Sequence, residues 1–164
     1  LAATSTSPDA DLPEGPIFWR VAGLDAVGNP SAFSAADELT VDVTAPAAVI
    51  ELRRTWDTTA TWSLRWRPAP EADFSHYAVY RELAPFTDVA GLTPIDTSIT
   101  VATESRYVDP SPLPGQDGYY AVVAVDTAGN ALGAVESVAA PGPAPIFADS
   151  FETGDLSSWS AVIQ

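Results

Sequence analysis

His76 is the one side chain in this sequence whose ordinary pKa lies near neutrality. It has no second histidine with which to share a metal ion. It also has no thiol to activate, because the chain contains no cysteine. No nucleophile elbow, glycine-rich phosphate loop or paired-histidine metal motif occurs. His76 therefore reads as an ordinary edge or turn residue where a strand begins. The remaining candidates are carboxylates, grouped at Glu71 and Asp73 and again at Asp149, Glu152 and Asp155. A hard cation such as calcium takes several such oxygens from a flexible loop, but the ligand spacing of a calcium hand is absent. The expectation is a chain with no catalytic residues, no metal and no cofactor.

Aromatic and basic residues offer recognition rather than catalysis. A sugar-binding surface would use flat aromatic faces, and there are five Trp. Trp62 and Trp66 share an apolar face with Leu64 and belong to a core, which leaves Trp56, in a turn after a first strand, and Trp159. The seven basic residues are all Arg. Arg53, Arg65 and Arg67 are expected to line up on the outer face of one sheet. Two readings of that ladder stand: a site for an acidic neighbour, or a solvated face balanced by Glu51 and Glu104. A formal net charge of -15 argues against nucleic acid and anionic membranes as partners. No apolar run is long enough to span a membrane, which takes about 18 residues. The sequence has no Met and begins at Leu1, so it is read as a piece processed or excised from something longer.

The elements that would hold these residues emerge from an internal repeat. Phe18-Trp-Arg-Val-Ala-Gly-Leu-Asp-Ala-Val-Gly-Asn29 returns as Tyr119-Tyr-Ala-Val-Val-Ala-Val-Asp-Thr-Ala-Gly-Asn130, an offset of 101 residues. That spacing suits a complete small β domain. Breaks at Val43-Thr-Ala-Pro46 and Pro141-Gly-Pro-Ala-Pro145 give three segments, 1–46, 47–141 and 142–164. The middle one alternates with period two. Ile50 and Leu52 alternate with Glu51 and Arg53; Trp62, Leu64 and Trp66 with Ser63, Arg65 and Arg67. Tyr77 and Val79, then 95–101, Arg106 to Val108, the face of Tyr120, Val122 and Ala124, and Val135 to Val138 complete about seven strands. Asp25 with Gly28-Asn29 and Asp126 with Gly129-Asn130 read as strand-ending turns.

These residues resemble a bacterial fibronectin type III domain. Trp66 with Pro68-Ala-Pro70 resembles the family's second strand and its core Trp, Asp73-Phe-Ser-His-Tyr-Ala-Val-Tyr-Arg81 the third, and Leu113-Pro-Gly115 before Tyr119 the approach to the sixth. Thr44-Ala-Pro46 is similar to the linkers that join such domains in tandem. The resemblance implies an all-β, fibronectin type III/immunoglobulin-like two-sheet sandwich at 47–141. It makes 1–46 the last strands of an incomplete preceding copy. The position of the family's corner Tyr falls on Gly118, which leaves that role to Tyr119 or to no residue.

Segment 142–164 is similar to a short C-terminal motif of secreted Gram-negative proteins. Phe147, Phe151, Leu156 and Trp159 are its apolar anchors and the Thr153-Gly-Asp155 turn, with Asp155, lets it fold back. Two outcomes are open for it, a docked tail or a loose end. The resemblance implies a non-catalytic module at the cell surface or outside a Gram-negative bacterium, acting in structure, adhesion or filament assembly. The alternative is an accessory spacer or carbohydrate-binding module of a secreted hydrolase. Ile17, Trp19 and Val21 are expected on one exposed face. Upstream domains of the same polypeptide, a second copy donating strands, or a cell-surface polysaccharide are the expected partners.

Overall fold

The structure is a computed structural model that describes residues 7–8, 10–56, 62–113 and 116–142. Among the described residues there are strands and no α-helix. They run β1 (Gly15–Trp19), β2 (Asp37–Val41), β3 (Arg53–Trp56), β4 (Trp62–Arg65), β5 (Phe74–Glu82), β6 (Asp96–Ile99), β7 (Arg106–Tyr107), β8 (Asp117–Asp126) and β9 (Val138–Pro141). β1 and β2 form an antiparallel pair by themselves. The other seven make two antiparallel sheets, ordered β3-β4-β7 and β6-β5-β8-β9.

Alternation decides which side chains meet between the sheets. Trp62, Leu64 and Trp66 from the β4 side pack against Tyr77 and Val79 of β5 and Tyr120, Val122 and Ala124 of β8. Two edge-to-face aromatic pairs join the layers, Trp62 with Tyr120 at 5.3 Å and Trp66 with Tyr77 at 5.0 Å between ring centroids. The Tyr77 hydroxyl, fully buried, accepts from Ala69 N at 2.6 Å and donates to Ala102 O at 2.9 Å. A buried hydroxyl with both partners filled costs the core little. On the opposite face of the larger sheet, Ala78 and Val123 form a smaller cluster with Val89.

Several expectations need correction. The first strand of the sandwich begins at Arg53, not at Ile50. Glu51 has a φ of 58°, a left-handed conformation unfavourable for a side chain other than Gly, and Ile50 is half exposed. Trp56 ends β3 as the cross-strand partner of Trp62 instead of sitting in a turn. The last strand begins at Val138 instead of Val135. Residues before it are drawn aside by Val89 N to Gly133 O at 2.9 Å, Val135 N to Thr87 O at 3.0 Å and Phe86 N to the Ser137 hydroxyl at 3.0 Å.

The corner also belongs to a residue not expected. Tyr120 donates its hydroxyl to Asp109 Oδ2 at 2.7 Å, tying β8 to the loop after β7. Gly118 makes room for it: a Cβ there would lie 2.7 Å from Tyr120 Cε2. The glycine that takes the corner position is the notch over which the next aromatic on that face folds.

Candidate functional site

Three surfaces hold the candidate residues. The first is the face of the β1-β2 hairpin. The repeat aligns Trp19 and Val21 with Tyr120 and Val122. Their partners in the sandwich are 1% and 3% exposed, while Trp19 is 46% and Val21 58% exposed. Ile17 is partly covered, being paired with Leu39 of β2. Phe18 and Leu24 on the other face are more exposed still. Arg20 lies over the Phe33 ring at 4.1 Å, a cation–π contact on the same hairpin.

The second is the junction between hairpin and sandwich. Here the repeat holds bond for bond. Asp25 Oδ1 accepts from Val27 N and Asn29 N, and its Oδ2 from Asn29 Nδ2. Asp126 does the same with Ala128 N, Asn130 N and Asn130 Nδ2. Gly28 and Gly129 take φ of 90° and 92°, which glycine alone adopts without strain. Hydrogen bonds led by the Asn29 side chain hold the Asp25 carboxyl below its usual range. At Asp126 burial pushes upward, and the bonds from Asn130, Ala128 and Gly129 outweigh it, so that carboxyl also stays low.

The second loop does one thing more. Asn130 Nδ2 also donates to Asp42 O at 3.1 Å, and Ala47 N donates to Glu71 Oε1 at 3.0 Å, so the linker is held by two side chains of the sandwich. Asp42, Asp73 and Asp126 can bring one carboxylate oxygen each within 4.8 Å of one another. Sequence reading singled out Glu71 and Asp73 as possible cation ligands, took Asp126 for a strand-ending turn residue, and did not name Asp42. The repeated Asp-x-x-Gly-Asn identified the turn at Asp126 but not its nearness to Asp73, and for Asp42 there was no signal.

The third surface is the outer face of β3-β4-β7. Arg53 is directly opposite Arg65, and Arg65 opposite Arg106, so three guanidinium-bearing positions form one row across the sheet. Arg106 had not been singled out. Arg67, expected in the row, follows the end of β4 and is bound instead to Glu51, which also lies 4.0 Å from Arg53. Ser63, on the same outward-facing side of β4, has no exposed surface, and its hydroxyl has no partner among the described residues. Phe151, Asp155, Leu156 and Trp159 lie outside the described residues.

Two further features are structural. Arg81 Nη1 donates to Asp109 Oδ2 at 2.5 Å and to Ser111 O at 2.7 Å, beneath the corner Tyr. His76 sits within β5 opposite Val125, with Nδ1 3.1 Å from the Ser75 hydroxyl, and no nucleophile or ligand set gathers around it among the described residues.

No family model matches the chain, and no curated protein matches it. Among solved structures it is similar to a Fn3-like protein from Clostridium thermocellum, with TM-score 0.43 and 29% identity over 65% of this chain and 100% of that one. It is also similar to domains d3-d4 of the rat CD45 extracellular region, with TM-score 0.43 and 12% identity over 86% and 72% of the two chains. A third is the beta-1,2-glucanase from Parabacteroides distasonis, with TM-score 0.40 and 23% identity over 71% of this chain and 16% of the glucanase. The antiparallel three-plus-four strand order around a shared aromatic core defines the part of the chain from β3 to β9 as an all-β, fibronectin type III/immunoglobulin-like two-sheet sandwich.

Proposed function

We propose that the chain is a non-catalytic β-sandwich module of a secreted or cell-surface Gram-negative protein. In this reading it serves structure, adhesion or assembly, and its β1-β2 hairpin is completed by strands of a neighbouring β-sandwich. One observation carries this reading. The hairpin reproduces the strand and loop that in the sandwich pack under Trp62 and Tyr107, yet Trp19 and Val21 stand exposed where Tyr120 and Val122 are buried. A two-stranded sheet without a packed face is marginal in water, and its free edges invite pairing. The strands that cover it supply what β3, β4 and β7 supply to β8. They come from an adjoining domain of the same polypeptide in a tandem array, or from a second copy.

The test is sedimentation of the 164-residue chain together with amide exchange. The expected result is either concentration-dependent association that Trp19→Asp abolishes, or a monomer whose residues 18–24 exchange as fast as a free hairpin while β8 stays protected. A monomer in which residues 18–24 are as protected as β8 would overturn the reading, since the hairpin would then need no cover.

A further inference from the structure

We propose that the open stretch of the β8 edge at Val122 and Ala124 is a slot for one extended segment of another protein, with small apolar residues at alternate positions and basic residues between them. Hydrogen bonding carries the argument. In an antiparallel sheet successive residues turn their N–H and C=O to opposite edges. Val79 O accepts from Ile95 N on the β6 side, so Val79 and its cross-strand partner Val122 both turn away from the seam between β5 and β8. Every second residue of β8 from Gly118 to Asp126 therefore addresses the other edge. There Gln116 O accepts from Gly142 N, Gly118 and Tyr120 pair with Ala140 and Val138, and Asp126 N donates to Asn130 O. Val122 and Ala124, between them, have no backbone partner on that side among the described residues. Both residues are buried, and buried backbone groups left open cost free energy until a partner fills them.

The gap has its cause in chain length. Between the pairs Tyr120 with Val138 and Val125 with Ala131, β8 spends four residues, 121–124, and the returning arm six, 132–137. The surplus bulges outward, where Ala134 bridges to Asp88 and Val135 N donates to Thr87 O. It leaves a cavity of about 580 Å³ lined by Val122 and Ala124, by Leu132 and Val135 of the bulge, and by Ala48 and Ile50 of the stretch before β3. That volume lies within the range of about 300–1,000 Å³ usual for binding sites. Four residues of strand, about 14 Å, match its length along β8.

The open groups also say what fits. Donors and acceptors repeated about 6.8 Å apart along one line are answered by the backbone of an extended segment, as when a peptide adds a strand to a sheet edge. Its residues opposite Val122 and Ala124 point with them into the core between the sheets and must be small and apolar. The residues between point the other way, and charge selects them. Glu51 and Glu136 are exposed at the cavity, no basic residue lines it, and Glu136 makes no ion pair among the described residues. The net charge of -15 draws in a basic segment and turns away a second copy of the chain. The slot belongs to the sandwich and not to the hairpin, so this proposal stands or falls separately from the cover of Trp19 and Val21.

Amide exchange of the full chain tests this residue by residue. Without a partner, Val122 and Ala124 should exchange at least about tenfold faster than Ala121 and Val123, whose N–H groups point to β5. The blocked peptide Arg-Val-Arg-Val-Arg at about 1 mM should slow Val122 and Ala124 at least about threefold while residues 15–41 keep their rates. The same peptide N-methylated at alternate amides, or with glutamate in place of arginine, should give no protection, and Glu136→Gln should weaken the arginine peptide about twofold or more. Because the peptide is varied as well as the protein, the test does not depend on a variant that folds. Val122 and Ala124 as slow as their neighbours in the free chain would overturn the proposal, since the slot would then be filled from within. So would protection that grows with protein concentration alone, no protection by the arginine peptide, or equal protection by the glutamate or methylated one.

Discussion

Asp109→Asn removes a buried charge from the loop after β7 while leaving the side-chain shape unchanged. The Asp109 side chain is 3% exposed, and it accepts from Arg81 Nη1 at 2.5 Å, from the Tyr120 hydroxyl at 2.7 Å and from Ser111 N at 2.8 Å. Burial alone would lower the Arg81 pKa; the bond to Asp109 outweighs it and raises the pKa. Taking one partner from a buried ion pair costs about 3–5 kcal/mol, because the other charge is left uncompensated. The Arg81 side chain is 20% exposed, so water softens the loss to about 3 kcal/mol. Tyr120→Phe removes a single hydrogen bond to the same oxygen and should cost about 1.5–3 kcal/mol. Since both changes act through Oδ2, the double variant should cost less than the two singles added, by at least about 0.5 kcal/mol. Urea unfolding followed by tryptophan fluorescence measures all four proteins, and an unchanged denaturant slope certifies the comparison. A loss under about 1 kcal/mol for Asp109→Asn, or strict additivity, would show that the triad is not the tie between β8 and the loop after β7.

Trp66→Ala should cost about 3–5 kcal/mol in the same assay, since the ring is 4% exposed and stacked edge-on against Tyr77; a variant that melts like the parent would contradict the core described above. Alkali should destabilise the fold. Burial, aided by Asp109 and Asp96, pushes the Tyr107 phenol up to about 12, and burial with the bond to Asp109 moves Tyr120 the same way. Both raise the folded pKa above that of a free tyrosine, about 10, so the stability they give is complete below pH ~10 and disappears as pH rises through 12. Thermal midpoints measured across that window should fall, and Tyr107→Phe should flatten part of the slope. Asp73→Asn, measured with a chelator present, should raise stability by on the order of 1 kcal/mol at low ionic strength and by less in high salt, because it removes one of three crowded carboxylates; a loss of stability would show that repulsion is not what Asp73 contributes there.

What could be read from the residues was whatever depends on local alternation. Trp62, Leu64 and Trp66, and again Tyr120, Val122 and Ala124, announce their inward faces because side chains alternate whatever the partner strand is. The position of β9 could not be read, since Val138 rather than Val135 begins it only because residues 133–137 are drawn to 86–89, distant in sequence. The corner bond was hidden for the same reason: Asp109 lies eleven residues from Tyr120, and nothing local says that the two meet. Its one trace was a glycine at 118 next but one to a tyrosine. The arginine row was half legible. Arg53 and Arg65 follow from alternation, while Arg106 enters by register alone and Arg67 leaves through its bond with Glu51.

The two copies of the repeated strand and loop make a controlled comparison inside one molecule. Their loops share every bond made within the loop because each is closed by Asp and Asn four residues apart, so the loop forms from its own sequence. Their strands differ in burial because burial depends on what lies opposite, and among the described residues β8 has a second sheet across from it while β1 does not. Covering one large apolar side chain is worth about 1.5–3 kcal/mol. The uncovered Trp19 and Val21 thus leave a favourable contact unmade on a hairpin whose turn is already formed. A preformed strand pair with an open apolar face is ready for a neighbour's strands at small entropic cost. Among the described residues no second layer faces the hairpin, and that open face is the surface on which the proposed role rests.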